Sequence, residues 1–335
     1  MTRTAFLGTG HYVPERVVTN DELTTLLPTS DEWIQQRTGI QARRYVDFEK
    51  EPQGSSDMGT KAARAALEDA GVGKDDVDCI IYATLSPDRS FPGDAVSVQA
   101  KLDVPAGVPC FDLRNQCSGF LYGLQTADAF IRTGQYKRVL LIGAETHSTG
   151  LDFSERGRDV TVIFGDGAAA CLLGPTENDS EGVRTVKVHA DGRFIEELHC
   201  SYPSSAMNPR VTTDNIEKGL QFPLMNGKNV FKHAVTRMPE AIMSVLGQEG
   251  LTPADIDLLI PHQANLRISE MVQKRLELRD DQVFNNIQKY GNTTAASIPL
   301  ALDEARKAGR VQDGSLVCFA AFGAGFTWGA GLVRF

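Results

Sequence analysis

One cysteine stands between a strand-like and a helix-like segment, where its thiol is well placed for nucleophilic chemistry. The apolar segment 108–113 precedes it, and hydrophobic residues at helical spacing follow from position 120. Cys117 is followed by Ser118 and Gly119, whose small size leaves the thiol approachable. A thiol at a helix N-terminus faces unpaired N–H groups and the positive end of the helix dipole, and both favour the thiolate. Cys117 is therefore a candidate nucleophile; the alternative is a small, inert core cysteine.

The composition is that of a large protein with a substantial core. The chain has 335 residues, of which 41% are hydrophobic, enough for two domains or one duplicated domain. The six cysteines form no CxxC pair and no close Cys/His spacing, so we expect neither a disulfide framework nor a metal site.

No signal peptide is evident, and no apolar run approaches the roughly 18 residues of a membrane span. A net charge of −9 argues against nucleic-acid binding. We therefore expect a cytoplasmic protein with no membrane or nucleic-acid partner.

The chain contains an internal repeat, in which four features recur in the same order. They are an amphipathic helix ending at a glycine, an acidic–apolar–acidic triplet leading into a strand, a second helix ending at a glycine, and a second strand. The matched positions are Gly71 and Gly247, 76–81 and 255–260, Gly134 and Gly309, and 139–143 and 316–320. Strands that alternate with helices indicate a layered α/β architecture. We predict two duplicated halves, residues 1–175 and residues 176–335.

The repeat pairs the cysteine with a second turn. When the spacing between Gly134 and Gly309 is applied to Cys117, the counterpart of the cysteine is Asn292. His262 follows a strand-like segment, at the end of a strand where the loops of an α/β sheet carry chemistry. A lone histidine there is more often structural, and a lone asparagine before a helix is more often an N-cap. The symmetry of the halves nevertheless predicts that the cysteine, the histidine and the asparagine converge in one cleft.

Three longer motifs resemble those of a known family. They are Pro-His-Gln-Ala-Asn-Leu-Arg-Ile at 261–268, Gly-Asn-Thr-Thr-Ala-Ala-Ser at 291–297 and Ala-Phe-Gly-Ala-Gly-Phe-Thr-Trp-Gly at 321–329. They resemble 3-oxoacyl-[acyl-carrier-protein] synthase III, a condensing enzyme of the thiolase superfamily, and the resemblance covers essentially the whole chain. It implies a thiolase-like five-layered αβαβα fold of two duplicated halves and a homodimer. It also implies a catalytic set of Cys117, His262 and Asn292.

The resemblance implies covalent acyl transfer followed by condensation. Cys117 takes an acyl group from acyl-CoA, and the backbone N–H groups of Cys117 and Ala324 form an oxyanion hole. His262 and Asn292 donate hydrogen bonds to the enolate that forms when malonyl-acyl carrier protein loses carbon dioxide. This reaction starts type II fatty acid biosynthesis. Acyl-CoA is then a substrate, and neither a cofactor nor a metal is implied.

The resemblance also assigns substrate contacts. The CoA-binding residues are Trp33, Arg37, Arg156, Phe231, Asn265 and Arg267. Arg158 competes for the place of Arg156, because the loop 155–159 is two residues longer than usual in the family. The acyl-pocket residues are Phe91, which reaches into the partner subunit, Phe164 and Phe322. The carrier-protein docking residues are Arg267, Lys274 and Arg275, a basic patch suited to an acidic carrier protein.

Two positions depart from the usual pattern of the family. Gln116 stands where a small residue is common, and Ala324 replaces a glycine. The segment around Cys117 also resembles quinolone-precursor synthases. An alternative function is therefore condensation or acyl transfer in a specialised-metabolite pathway of the quinolone or polyketide type, with a different donor or acceptor. A third alternative, from another class, is a non-catalytic acyl-binding protein that has kept the fold.

Overall fold

The structure is a computed structural model that describes residues 2–335, and it builds two related halves in succession. The strands of the first half are β1 (Arg3–Tyr12), β2 (Val17–Thr19), β3 (Ala42–Arg44), β4 (Cys79–Ala83), β5 (Cys110–Leu113), β6 (Val139–Glu145) and β7 (Gly167–Thr176). Its helices are α1 (Asn20–Thr24), α2 (Asp31–Thr38), α3 (Ser55–Ala70), α4 (Asp94–Leu102), α5 (Gly119–Arg132) and α6 (Arg158–Thr161). The strands of the second half are β8 (Gly182–Ala190), β9 (Leu198–His199), β10 (Leu224–Met225), β11 (Leu258–Pro261), β12 (Leu316–Gly323) and β13 (Thr327–Arg334). Its helices are α7 (Thr213–Glu217), α8 (Gly227–Gln248), α9 (Leu266–Arg275), α10 (Ile287–Tyr290) and α11 (Ser297–Lys307).

Four strands of the first main sheet have the same topology as the four strands of the second. The first has the order β1-β7-β6-β4-β5, in which β4 pairs in parallel with β6 and β5, and β7 pairs antiparallel with β6 and β1. The second has the order β8-β13-β12-β11, in which β11 is parallel to β12, and β13 is antiparallel to β12 and β8. The strands β1, β7, β6 and β4 thus correspond to β8, β13, β12 and β11, which confirms the predicted duplication. The boundary between residues 175 and 176, one residue before the end of β7, stays a prediction.

Helices lie between the two sheets and on the outer face of each. Helices α5 and α11 lie between them, in a core that joins Phe120 and Ile298 to Ile81 of β4 and Phe319 of β12. Helices α3 and α4 cover the other face of the first sheet, where Ile80 of β4 packs. Helices α8 and α9 cover the other face of the second sheet. Because both faces of β4 are covered, all five of its residues are buried. These layers form the predicted five-layered αβαβα arrangement.

The helix predicted to end at Gly247 extends beyond it. Helix α8 continues to Gln248, and the left-handed residue that follows is Gly250, with φ of +69°. In the first half, Gly71 with φ of +63° ends α3 in the same way. The spacing between Gly71 and Gly250 equals the spacing between the first residues of β4 and β11. The pairing of Gly71 with Gly247 is therefore wrong, because the end of a helix is set by the left-handed residue and not by the first glycine.

The spacing taken from Gly134 and Gly309 fails at the cysteine turn as well. A short 3-10 turn, 116–118, precedes α5, and its counterpart, 294–296, precedes α11. The first residues of these turns have left-handed φ values, +42° at Gln116 and +49° at Thr294. The structural counterpart of Cys117, the second residue of its turn, is therefore Ala295, and the pairing with Asn292 is wrong. Corresponding residues of the two halves are farther apart in sequence at the turns than at the helix ends. The reason is that α11 has 11 residues and α5 has 14.

Candidate active site

One cleft of about 480 Å³ contains all three predicted catalytic side chains. Cys117 is 8% exposed, and His262 and Asn292 are each 4% exposed. The predicted CoA-binding residues in the lining are Trp33, Arg37, Phe231, Asn265 and Arg267. Because Arg37 and Arg267 are exposed, the cleft leads from a cationic mouth to a buried reactive end.

Cys117 is the central residue of the turn before α5, and its sulfur faces two backbone donors. The N–H groups of Cys117 and Ala324 both lie near the thiol sulfur, where they lower the pKa of the thiol. Gly323 lies against the same side chain, since a Cβ atom there would come within 2.9 Å of Sγ. The two N–H groups predicted to form the oxyanion hole therefore meet at the nucleophile.

The surroundings raise the pKa of the Cys117 thiol to about 12, opposite to the expected direction. Burial is the largest cause, and the nearby Glu145 carboxylate adds to it. The two N–H groups and the side-chain amide of Asn292 lower the pKa in part. The expected lowering is therefore wrong, because the sequence shows neither the burial of the thiol nor the carboxylate beside it.

Glu145 is a buried carboxylate at the end of β6. It accepts hydrogen bonds from the hydroxyl groups of Thr84 and Ser86 and from the N–H groups of Leu85 and Ser86. Burial raises the pKa of Glu145 to about 7. These bonds fasten the end of β6 to the loop after β4, the loop that leads on to Phe91.

His262 follows β11, and its two ring nitrogens have different surroundings. Nδ1 lies 2.6 Å from the hydroxyl oxygen of Ser297, the first residue of α11. Nε2 is buried and has no hydrogen-bond partner within residues 2–335. Burial lowers the pKa of His262 to about 3, so the ring is neutral at physiological pH. The free nitrogen belongs to a residue that lines the cleft.

Asn292 is held so that its amide nitrogen serves as the free donor. Its Oδ1 accepts a hydrogen bond of 2.8 Å from the N–H of Thr294, which assigns the amide orientation. Its backbone N–H donates to the carbonyl of Ile163 at 2.9 Å. The side-chain amide lies near the sulfur of Cys117 and lowers the pKa of the thiol. The site thus presents a thiol, a neutral imidazole and a neutral amide to the same space.

Comparisons with known proteins cover both halves of the chain. The family model described as 3-Oxoacyl-[acyl-carrier-protein (ACP)] synthase III matches residues 111–192, and the model of its C-terminal part matches residues 246–335. A beta-ketoacyl-[acyl-carrier-protein] synthase III from Acidiphilium cryptum is 45% identical over 100% of this chain and 100% of its own length. The chain belongs to the 3-oxoacyl-[acyl-carrier-protein] synthase III family. It is an acyltransferase of the condensing type.

Solved structures that are 32% to 42% identical to the chain share its fold. The 3-oxoacyl-[acyl-carrier-protein] synthase III of Aquifex aeolicus is 42% identical with a TM-score of 0.89, over 99% of this chain and 100% of that one. The priming β-ketosynthase of the R1128 polyketide pathway is 32% identical with a TM-score of 0.88, over 99% of this chain and 96% of that one. The thiolase-like fold predicted from the sequence is thereby confirmed.

The structure separates the two arginines that competed for one CoA contact in the synthase III motif. The guanidinium carbon of Arg158 lies 4.8 Å from the ring centroid of Trp33, and that of Arg37 lies 4.6 Å from it. Arg156 instead pairs with the carboxylate of Asp152 and donates to a backbone carbonyl at residue 218. Two cations at an aromatic ring form a site for an anionic, planar group such as a nucleotide. We therefore propose that Arg158, in place of Arg156, makes the CoA contact.

This assignment predicts opposite results for the two arginines. Arg158→Ala should raise KM for acyl-CoA about tenfold with kcat little changed, because the lost contacts hold the nucleotide and not the reacting atoms. Arg156→Ala should leave KM unchanged and lower Tm, because it leaves the buried Asp152 carboxylate without its partner. Steady-state kinetics and thermal melting of both variants test this. A raised KM in Arg156→Ala alone would reverse the assignment.

The other predicted mouth residues form one contact network. Asn265 caps α9 by accepting from the N–H of Arg267 and donates its amide N–H to the carbonyl of Arg37 at 2.9 Å. The guanidinium of Arg267 lies 5.6 Å from the ring centroid of Phe231. Lys274 is an exposed residue of the last turn of α9.

The predicted acyl-pocket residues lie in two places. Phe164 and Phe322 are buried and line the cleft, and Phe164 forms a bridge with Asn292. Phe91 is 81% exposed in this subunit and lies outside the cleft lining. Arg275, predicted to dock the carrier protein, is also outside the lining and donates to the carbonyl of Val235. A residue that a partner subunit covers must be exposed in the isolated subunit, and Phe91 meets this condition.

Sequence reasoning missed three residues that support the site. Gly323 leaves room for the thiol, and Ser297 holds the imidazole. His147 is buried with Nε2 at 2.7 Å from the Thr294 hydroxyl and its ring centroid 4.5 Å from that of Phe164. Burial lowers the pKa of His147 to about 3. The positions of Ser297 at the start of an apolar helix and of His147 just after a strand resemble those of Cys117 and His262, and could have identified them.

Residues 2–335 contain neither a cluster of metal-ligating side chains nor a membrane-spanning helix. No group of three or more His, Cys, Asp and Glu side chains is arranged to hold a metal ion. No helix in the same part of the chain combines the length and the hydropathy needed to cross a bilayer. The expected independence from cofactors stays a prediction.

Proposed function

We propose that the chain condenses an acyl-CoA with malonyl-acyl carrier protein and so initiates type II fatty acid biosynthesis. The products are 3-oxoacyl-acyl carrier protein, CoA and carbon dioxide. The observation that carries the proposal is the convergence of the Cys117 sulfur, two backbone N–H groups and the neutral side chains of His262 and Asn292 in one buried place. The names of the relatives support the same reaction.

In the first half-reaction, Cys117 accepts the acyl group. Its sulfur attacks the thioester carbonyl of acyl-CoA, and the N–H groups of Cys117 and Ala324 stabilise the oxyanion. The C–S bond to CoA breaks, and CoA leaves with the proton that the thiol gave up. Trp33, Arg37 and Arg158 hold the nucleotide at the mouth of the cleft. The enzyme then carries the acyl group as a thioester.

In the second half-reaction, the malonyl thioester loses carbon dioxide. The electron pair of the broken C–C bond forms an enolate, whose oxygen accepts hydrogen bonds from Nε2 of His262 and Nδ2 of Asn292. The enolate carbon attacks the acyl carbonyl on Cys117. The tetrahedral intermediate collapses, the new C–C bond remains, and the thiolate of Cys117 leaves. Neutral donors suit this step: the pKa of His262, about 3, keeps its ring uncharged at the working pH, and the Asn292 amide does not ionise.

The decisive experiment is a donor panel read by mass spectrometry. The protein is incubated with acetyl-, isobutyryl-, hexanoyl- and octanoyl-CoA, with and without malonyl-acyl carrier protein. We expect stoichiometric acylation of the enzyme without the carrier protein and a 3-oxoacyl-carrier product with it. Acylation without any condensed product would contradict the proposal. Absence of acylation with every donor would favour the passive acyl-binding alternative.

The panel also tests the specialised-metabolite alternative. The specialised-metabolite function is supported by Gln116, by the longer loop 155–159, and by the similarity to a priming polyketide ketosynthase. Because Arg158 of this loop stacks on Trp33, the extra residues lie beside the mouth of the cleft, where a donor enters. A strong preference for acetyl-CoA with malonyl-acyl carrier protein would count against the alternative.

The proposal includes a homodimer, a cytoplasmic location and a docking surface for the carrier protein. A basic patch of Arg267, Lys274 and Arg275 on α9 contrasts with the net charge of −9 and suits an acidic carrier. For the dimer, Phe91 carries the argument, because an 81% exposed phenylalanine leaves a large apolar surface in water. We propose that a second subunit covers Phe91, which then forms part of that subunit's acyl pocket.

This role predicts that Phe91→Ala shifts donor preference toward longer acyl-CoAs, because a smaller side chain deepens the partner's pocket. The ratio of kcat/KM for octanoyl-CoA to that for acetyl-CoA should rise about tenfold. Phe48→Ala is the matched control, since Phe48 is also exposed, at 46%. An unchanged donor profile, or a stable and fully active monomer at micromolar concentration in size-exclusion chromatography, would contradict the assignment.

A further inference from the structure

The proposed enolate contact requires that the ring proton of His262 lies on Nε2. A neutral imidazole carries one N–H, and either nitrogen can hold it. With the proton on Nδ1, Nε2 would present a lone pair to the negatively charged enolate oxygen and repel it. The stabilising role of His262 therefore depends on a tautomer that the ring alone does not determine.

The hydroxyl of Ser297 is the atom that can decide the tautomer. It is buried, with the side chain 2% exposed, and lies 2.6 Å from Nδ1 of His262. The same oxygen accepts a hydrogen bond of 3.3 Å from the backbone N–H of Gln263. Within residues 2–335, no acceptor other than Nδ1 lies within hydrogen-bond distance of the Ser297 hydroxyl. Among these residues, Nδ1 of His262 is therefore the only acceptor available to the Ser297 hydroxyl proton.

Comparing the two tautomers gives a clear preference. With the ring proton on Nε2, the Ser297 hydroxyl donates to Nδ1, and the only unpaired group is the Nε2 N–H. With the ring proton on Nδ1, the ring donates to Ser297, and both the hydroxyl proton and the Nε2 lone pair remain unpaired. Since each buried unpaired polar group is unfavourable, the first arrangement is the more stable.

We propose that Ser297 is a positioning residue that donates its hydroxyl proton to Nδ1 of His262 and thereby keeps the Nε2 N–H directed at the enolate oxygen. This inference rests on the proposed function and names the residue that prepares one of its two enolate donors. It also explains why an unpartnered polar atom is maintained in a buried site: the missing acceptor is the substrate oxygen.

The tautomer is measured directly by NMR of protein labelled with ¹⁵N-histidine, through the couplings between the ring nitrogens and the ring carbon-bound protons. The His262→Ala spectrum assigns the resonances among the six histidines of the chain. We expect wild-type protein to show the Nε2–H form and Ser297→Ala to show a mixture or the Nδ1–H form. Ser297→Thr, which keeps the hydroxyl, should restore the Nε2–H form. A wild-type ring protonated on Nδ1 would overturn the proposal, and so would an unchanged Nε2–H form in Ser297→Ala.

Kinetics separate positioning from a general structural effect. Ser297→Ala should acylate with acetyl-CoA within about twofold of wild type, while condensation with malonyl-acyl carrier protein falls at least about tenfold. Ser269→Ala is the matched control, because the Ser269 hydroxyl is equally buried but has no hydrogen-bond partner in residues 2–335, and we expect it to change neither rate. Equal losses of acylation and condensation in Ser297→Ala would contradict the proposal.

A second variant at position 297 tests the same hydrogen bond, and the tautomer measurement is independent of turnover. Should Ser297→Ala fail to fold, as shown by loss of the wild-type far-UV circular dichroism spectrum, Ser297→Cys keeps a similar volume and weakens the donor, and the same two readouts apply to it. The tautomer is measured without substrate. Failure of the proposed function would instead appear as the absence of 3-oxoacyl product from wild-type protein, so the two failures are distinguishable.

Discussion

Cys117→Ala is expected to abolish acylation, whereas His262→Ala and Asn292→Ala should keep acylation and lose condensation. The thiol faces the N–H groups of Cys117 and Ala324, while Nε2 of His262 has no hydrogen-bond partner in residues 2–335 and so does not hold the thiol proton. His262→Ala should therefore acylate nearly normally, with condensation reduced about 10²–10³-fold, the typical effect of losing one oxyanion donor. Asn292→Ala should acylate more slowly, because the Asn292 amide also lowers the pKa of the Cys117 thiol.

Intact mass after acetyl-CoA measures acylation, and 3-oxoacyl product after malonyl-acyl carrier protein measures condensation. Cys200→Ala is the control, because Cys200 is an exposed free cysteine that could be acylated adventitiously. If His262→Ala lost acylation as completely as Cys117→Ala, His262 would be the obligatory base of the thiol and the division of roles would be wrong.

Gly323→Ala should nearly eliminate activity without changing any catalytic side chain. A Cβ atom at this position would lie within 2.9 Å of the Cys117 sulfur, and still closer to its Cβ, so either the thiol or the loop carrying Ala324 must move. Displacing one oxyanion donor typically costs about 2.7–4 kcal/mol of barrier, which corresponds to a loss of about 10²–10³-fold in acylation rate. Single-turnover acylation, followed by mass, measures this loss.

The matched control for this substitution is Gly247→Ala. Gly247 lies in α8 with ordinary helical geometry, and a Cβ atom there meets nothing within 4 Å. Alanine is a better helix former than glycine, so this variant should be at least as stable as wild type and fully active. Full activity in Gly323→Ala would show that the contact between Gly323 and Cys117 is not essential.

The architecture was predictable from the sequence because the repeated features and the longer motifs follow one another in a recognisable order along the chain. The residue-by-residue pairing of the two halves was not predictable, since it depends on where helices begin and end. Helix α11 is shorter than α5, with 11 residues against 14, so helix ends and helix starts give different spacings between the halves. Asn292 was thus found by the resemblance and by a mistaken pairing with Cys117, and the structure places it on the strand-like bridge to Phe164.

The electrostatics of the site were the least predictable part. Position at the start of a helix indicated a lowered thiol pKa, but burial and Glu145, a residue of a different element, act in the opposite direction. The sequence also does not show which of Arg156 and Arg158 lies beside Trp33, because either side chain of the longer loop could reach the mouth of the cleft. The folded loop places Arg158 there. Such properties depend on distances between segments, which spacing along the chain does not give.

The shared register of the two turns has a consequence for how this site arose. The turn 294–296 packs against the turn 116–118. A Cβ atom on Gly119, the residue after the first turn, would lie 3.3 Å from that of Ala295. An ancestor made of two identical short chains would have carried the same residue at both turns, because any mutation appears in both copies. Joining the copies in one polypeptide allows Cys117 to keep a thiol while Ala295 becomes close-packed support behind it. A single chain with two related halves can therefore build an asymmetric active site that a pair of identical chains cannot.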